Sequence, residues 1–435
     1  MMKKQRAIEL SKEQIEAEEF KTHHRHDEKA FTRDRRLTFS FVLVLVLRNS
    51  VKSLQNVVNE AMTWLDELPI TASAYSQARY KLKHTAFIAL NKIAVVDNLY
   101  SDSDYKTFWG FRVLGIDGSK IVLPNNEAIC EEFGTIAWTN GKTAEIQGER
   151  PYALASVLYD VLNKVALDAT LGKAKAYEID LAIGHLSHTQ TGDLMIMDRN
   201  YPSYRMLAEI FQSRRDFVAR CSSASFALAR LMLKGEGPDS QIVTLTPCAG
   251  QMSSIRELNL PLSLKVRFVR VCLSTGEYEV LVTSLLDEML YPTVEFLDLY
   301  YLRWEIETFY GLIKTRLELE NFTGIGVEAV RQDFYATVYL TGLESLLTGT
   351  AQATLDAKET KHTQIVNHAV SFNAIKNLAF DLLLSDLDLN IILEKLTVLF
   401  LTNPCLERKN RNPPRKNSSS RTLLNFHKRI KKHCF

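Results

Sequence analysis

Cysteine, glycine and proline are all sparse in this chain of 435 residues. The six cysteines (Cys130, Cys221, Cys248, Cys272, Cys405 and Cys434) form no C-x-x-C pair. In a long chain such scatter suits reduced thiols in a cytoplasm and excludes a disulfide framework or a cysteine zinc site. Glycine (18) and proline (11) reach roughly half their usual share, which excludes collagen-like and low-complexity architectures. An excess of one charge is missing too. Fifty-three Lys/Arg against 51 Asp/Glu leave a net charge of +2, so any case for nucleic acid must rest on local patches. The longest apolar run, Phe39 to Leu47, includes Ser40 and covers nine positions, under half of the about 20 that cross a bilayer. The basic start, Met1 to Gln14, has no apolar h-region, so no signal peptide and no membrane partner are expected, and a cytoplasmic location is.

What is present is the composition of a soluble globular protein, 46% apolar and 24% charged, with length for two or three domains. Residues 1–36 carry ten Lys/Arg and eight Asp/Glu with few apolar anchors, which predicts a mobile or loosely docked helical arm. From Leu37 to about Ser103 the pattern is helical; Pro69 ends one helix and Thr71 or Ser73 caps the next, Ala74 to Leu90. There Arg79, Lys81, Lys83 and His84 form a basic stretch. A solvated face is the default reading of each, and DNA contact becomes reasonable for the cluster only if the rest of the chain points to it.

At Phe111 the texture changes. Phe111–Ile116, Tyr152–Tyr159, Val161–Leu171, Leu194–Met197 and Phe217–Arg220 read as strands, with helices over Tyr177–His188 and from Pro202 to about Arg214. This is an α/β sheet of mixed strand direction. Residues 221–292 interrupt the alternation with strands at Gln241–Leu245, Leu264–Leu273 and Glu277–Thr283, a β-rich insertion. A long helix is expected from near Thr293 to about Glu320, and helices continue to Leu401. From Asn403 to Phe435 ten Lys/Arg face one acid, Glu407, a basic tail suited to phosphate. The expected organisation is a helical region over 1–105, a catalytic domain over 106–325, and a helical region with the basic tail over 326–435.

Asp117 and Asp198 each follow an apolar strand directly, where a rigid sheet can hold a reacting group within reach of ligand. Asp193 stands roughly 16 Å from Asp198 along an extended strand, so only one of the two can join Asp117. On the expected long helix Tyr300, Arg303, Glu307 and Lys314 fall within a stripe roughly 60° wide at about 100° per residue. An ordinary i,i+4 ion pair between Arg303 and Glu307 is the plain alternative.

Taken together these residues resemble the DDE transposases of bacterial insertion sequences, in the insertion-sequence-four family. Its hallmark is Tyr, two residues, Arg, three residues, Glu, six residues, Lys. Here that reads Tyr300-Leu-Tyr-Arg303-Trp-Glu-Ile-Glu307, then six residues to Lys314. The family's two aspartates match Gly115-Ile116-Asp117-Gly118-Ser119 and Met197-Asp198-Arg199-Asn200-Tyr201. Asn200 stands where the family usually has Gly; both residues enter positive φ at low cost, so the turn is expected to survive.

The resemblance implies an RNase H-like mixed sheet with a β-rich insertion, flanked by helical N- and C-terminal regions. It implies Asp117, Asp198 and Glu307 as catalytic and metal-binding residues, with two Mg²⁺ and Mn²⁺ able to substitute. Three close carboxylates need such a counter-charge, since their repulsion raises at least one pKa. Tyr300, Arg303 and Lys314 would bind DNA, through a guanidinium fork, an ammonium and an aromatic hydroxyl. The implied partners are double-stranded DNA, both inverted-repeat ends and target, and a second copy of the chain in a synaptic complex. The implied activity is cut-and-paste transposition. The alternatives are an RNase H-like nuclease without transposition and a catalytically silent, transposase-derived DNA-binding protein. Trp304 reads as core packing, and His23, His24, His26, His185 and His188 read as surface residues without partners at ligand spacing.

Overall fold

The computed structural model of the chain describes residues 2–32, 36–48, 52–139 and 146–407. The chain folds into two compact units, one of residues 105–120 and 154–310, the other of residues 1–104, 121–153 and 311–435. In chain order the strands of the large sheet are β1 (Arg112–Val122), β2 (Thr135–Thr139), β3 (Ile146–Asp160), β4 (Val165–Lys173), β5 (Asp193–Met197), β6 (Asp216–Arg220), β7 (Ser240–Leu245), β8 (Leu264–Cys272) and β9 (Tyr278–Thr283).

The first unit is an α/β sheet of RNase H-like type. Its strands lie in the order β3, β1, β5, β6, β9, β8, β7, with β4 on β3. β1, β5 and β6 are parallel, and β6–β9, β9–β8 and β8–β7 are antiparallel. The middle strands are apolar without alternation because both faces are covered: Leu194, Met195, Ile196 and Met197 of β5 and Phe217, Val218 and Ala219 of β6 are fully buried. The strands of the expected β insertion are present and extend the main sheet through β9.

The register of β1 on β5 runs from Arg112↔Asp193 to Ile116↔Met197. Its first pair is also an ion pair: Arg112 Nε and Nη2 donate to the two Asp193 oxygens at 2.6 Å each, with both side chains buried. This fixes which acid flanking β5 is structural. Asp193 neutralises Arg112 at one end of the strand pair, and Asp198 is left at the other.

The second unit is mainly helical. A thirty-residue helix, Val327–Asp356, buries Val330, Phe334 and Val338 at one-turn spacing. The apolar run becomes the helix Phe39–Arg48, with residues 41–47 buried all round. The acidic and basic arm is docked, contrary to the loose attachment expected. Ala7, Ile8, Ser11 and Ile15 share one buried face of the helix Lys3–Glu16, and the Ser11 hydroxyl meets that of Tyr339 at 2.6 Å. Two members of the basic stretch are also taken up internally. Arg79 is buried and pairs with Asp333 at 2.7 Å, while Gln332, Thr323 and the Ala329 carbonyl accept its other N–H groups; His84 pairs with Glu328 at 3.0 Å. The basic residues from Arg408 onward lie outside the described residues. Among the described residues no helix is long and apolar enough to cross a membrane.

Candidate active site

Asp117, within β1, and Asp198, just after β5, each stand one residue beyond the paired residues Ile116↔Met197. Paired residues of parallel strands point to the same face, and neighbouring strands lie about 4.8 Å apart. The two carboxylates therefore leave adjacent strands side by side. Gly118 N–H donates to Asp117 Oδ1 at 2.8 Å.

The third acid arrives on the helix Trp304–Gly311. Gly115 lets that helix sit close on the sheet: a Cβ there would lie 3.1 Å from Val161 Cγ1 and 3.6 Å from Ile306. One turn after Ile306, the buried Tyr310 hydroxyl lies 2.9 Å from the carbonyls of both Asp117 and Ala155, to which it donates. Ile306 and Tyr310 thus bracket Glu307 and seat its helix against β1 beside Asp117. Burial first, then the charges of Glu307 and Asp198, push the Asp117 carboxyl up to about 6, against the Gly118 hydrogen bond and the Arg303 charge. The three acids share one electrostatic environment.

The helix departs from the straight rod expected over residues 293–320. It begins as a 3₁₀ turn (Thr293–Glu295), runs as α-helix over Phe296–Tyr301, breaks at Leu302 and Arg303, resumes over Trp304–Gly311 and ends as a π-turn over Leu312–Arg316. At the break Leu302 and Arg303 make i→i−3 bonds to Leu299 and Tyr300, which wind the chain more tightly; at the end Leu317 N–H reaches Leu312 O, which winds it more loosely. A stripe projected at a constant angle from 300 to 314 does not survive both changes. Lys314 falls in the other compact unit, half-buried, where burial lowers its pKa and Glu320 opposes that.

The i,i+4 pair is present. Arg303 Nη2 and Glu307 Oε1 are 2.8 Å apart, with the arginine side chain 3% and the glutamate 42% exposed. Arg303 lies over the rings of Tyr300 and Trp304, at 5.6 and 4.8 Å from their centroids. Although burial opposes it, Tyr300, Glu307 and Asp198 hold the guanidinium pKa above its ordinary value. Trp304 is 38% exposed, so it belongs to the surface and not to the core expected. Three buried polar atoms in this neighbourhood have no hydrogen-bond partner: Tyr201 Oη, Tyr300 Oη and Arg303 Nε. Buried groups are rarely left so.

The donor set fits a hard divalent cation in kind, since all three acids offer oxygen and Asp117 resists ionisation without a counter-charge. Among the described residues no group of three His, Cys, Asp or Glu side chains is placed to hold a metal ion. Glu307 is instead held by Arg303.

A family model described as a transposase DDE domain matches residues 109–340. The chain belongs to this family. The matched stretch of the transposase domain contains all three acids, Tyr300, Arg303 and Lys314. No curated protein sequence matches the chain. Among solved structures it is similar to a piggyBac transposase synaptic complex with hairpin DNA, at 8% identity and a TM-score of 0.42, over 90% of this chain and 81% of that one.

The turn after Asp198 differs from its expected form. Tyr201 N–H bonds to Asp198 O at 3.1 Å, yet Asn200 is not among the described residues with positive φ, so the turn needs no special tolerance there. His185 is buried, not at the surface. Its ring joins Asp168 (2.6 Å) to Ser156 (3.0 Å), and His188 approaches the same aspartate at 3.6 Å. Ser156, like His185, is only 1% exposed, so this Ser-His-Asp chain is a satisfied core network with no route for substrate. Nothing in the sequence singled out Tyr310, which carried the ordinary signal of a core aromatic.

Proposed function

We propose that this transposase-family chain, of the insertion-sequence-four branch, cuts DNA at the ends of its own element and joins those ends to target DNA in the cytoplasm. The observation that carries the reading is the level register that brings Asp117 of β1 beside Asp198 just after β5, with the helix of Glu307 seated against β1 there by Gly115 and Tyr310. Asp117, Asp198 and Glu307 would hold two Mg²⁺, or Mn²⁺ in their place. Such ions, when bound, activate a water or a DNA 3′-hydroxyl and stabilise the leaving oxygen of an in-line displacement at phosphorus.

The chain's own residues do the rest. Tyr300 and Arg303 present a buried hydroxyl and a guanidinium N–H without internal partners, which suits them to phosphate oxygens arriving with DNA. As Arg303 turns to phosphate, its hold on Glu307 weakens and the third carboxylate is released toward the other two. Lys314 would supply a further phosphate contact. Two ends must be processed together, so the working form is a homodimer in a synaptic complex.

The test uses duplexes carrying the element's inverted repeats, with Mg²⁺. Asp117→Asn, Asp198→Asn and Glu307→Gln are each expected to abolish cleavage while leaving end binding measurable, because they remove ligands and not the fold. Normal strand transfer by any one of the three would show that the site is misassigned.

A further inference from the structure

Arg220 is not used by this reading, although it stands in the same row as the two aspartates. β5 pairs with β6 in parallel from Leu194↔Asp216 to Met197↔Ala219. One residue further on, Asp198 comes level with Arg220, the last residue of β6, just as Asp117 comes level with Asp198. Residues level with one another on parallel strands share a face, so the row reads acid, acid, guanidinium across three neighbouring strands. Beyond β6 comes the antiparallel β9, on which Arg220 pairs with Leu281. Glu279 lies two residues from Leu281 and so on the same face, and its Oε1 is 2.9 Å from Arg220 Nη2. The arginine side chain is 31% exposed and the glutamate 11%, so the cation reaches solvent beside the acids while its partner is mostly covered.

The Tyr300 hydroxyl joins this pair to the rest of the site. Tyr300 is 3% exposed and its oxygen has no partner. Burial foremost raises its pKa; of the charges that follow, Arg303 and Arg220 oppose the rise, and Asp198 and Glu279 add to it. The hydroxyl thus feels two guanidinium groups and is bonded to neither. Each of those arginines is held by one glutamate, Arg303 by Glu307 and Arg220 by Glu279. Phosphate offers a guanidinium the same paired oxygens as a carboxylate, so either hold can be exchanged for DNA. A plain cross-strand ion pair needs no place in the row of the two aspartates.

Building on the function proposed above, we infer that Arg220 is a further phosphate-binding residue of the site, which exchanges Glu279 for a phosphate of the DNA strand on the β6 side of Asp198. With Tyr300 and Arg303 it completes a set of three donors, so that the DNA backbone is held across the row, from the acids toward β6.

The probe is a duplex carrying one inverted repeat of the element, bound to the full-length protein without divalent cation so that no strand is cut. Fluorescence anisotropy over a series of salt concentrations gives the affinity and its salt slope. Arg220→Gln is expected to weaken binding on the order of tenfold and to flatten the slope by about one phosphate contact. Glu279→Gln is expected to bind at least as tightly as wild type, because it frees Arg220 and removes an acid from the path of the phosphate. Wild-type affinity and slope in Arg220→Gln overturn the inference. Equal weakening in the two variants also overturns it, since the pair then only joins β6 to β9. If Arg220→Gln does not fold, the double variant Arg220→Gln with Glu279→Gln, which strands no charge, replaces it, and a wild-type slope there is equally decisive. Arg303→Gln separates this inference from the function it rests on. If Arg303→Gln flattens the slope and Arg220→Gln does not, only the role of Arg220 falls. If neither flattens it, DNA is held elsewhere and the reading of the whole site falls with it.

Discussion

Asp117 sits where its charge is poorly tolerated, and the sign of the consequence can be worked out. Its carboxyl is raised to about 6 in the metal-free fold, by burial first and by Glu307 and Asp198 after it. A raised carboxyl favours the protonated native state, so stability is highest below the unfolded value near 4 and falls as pH rises through about 6. Asp117→Asn is therefore expected to stabilise the metal-free protein at pH 7.5 by on the order of 1–3 kcal/mol, one pKa unit being about 1.4 kcal/mol. The gain should vanish near pH 4, as measured by denaturant or thermal melts without divalent cation. An aspartate held for function at a cost in stability gives this signature, and a structural aspartate gives the reverse. At this scale the sequence made candidates of residue types that follow a strand or complete a spaced motif: Asp117, Asp198, Arg303 and Glu307. It was silent on Tyr310, because a buried aromatic on a helix is ordinary, and its hydrogen bond to the Asp117 carbonyl depends on how the helix meets β1. Arg79 misled in the other direction, since a cation in a basic run gives no sign of the buried Asp333 that neutralises it.

The placing of Asp117 beside Asp198 is a property of strand pairing. A slip of one residue between β1 and β5 would turn every side chain to the opposite face. The buried pair of Arg112 with Asp193 ties that register at the far end of the same strands. Removing one partner of such a pair strands a buried charge, so Arg112→Ala should cost about 3–5 kcal/mol. Urea unfolding would measure the loss; a change within about 0.5 kcal/mol, the scatter of ordinary surface substitutions, would show that the pair does not hold the register. The strands themselves were readable from their apolar runs. The helix from 293 to 320 was readable only as helical, because a local tightening at Leu302 and Arg303 and a π-turn at Leu312–Arg316 leave no mark on the spacing of side-chain types.

At the scale of the whole molecule, three acids remote in sequence belong to one compact unit and to one electrostatic environment, although residues 121–153, which lie between the first two, fold with the other unit. A chain that leaves a unit and returns to it cannot be recognised from composition, and neither could the docking of the N-terminal arm, which rests on partners such as Tyr339 far along the chain. The motif spacing did point to the family, because the reaction constrains the residues around each acid more tightly than the packing between them. Affinity cleavage tests the convergence most directly. Fe²⁺ bound in place of Mg²⁺ and treated with ascorbate and peroxide generates hydroxyl radicals that cut the polypeptide near the ion. Cuts are expected in three clusters, around residues 117, 198 and 307, all suppressed by excess Mg²⁺ and by Asp117→Asn. Cutting at one cluster only, or at sites that Asp117→Asn leaves untouched, would contradict a shared centre.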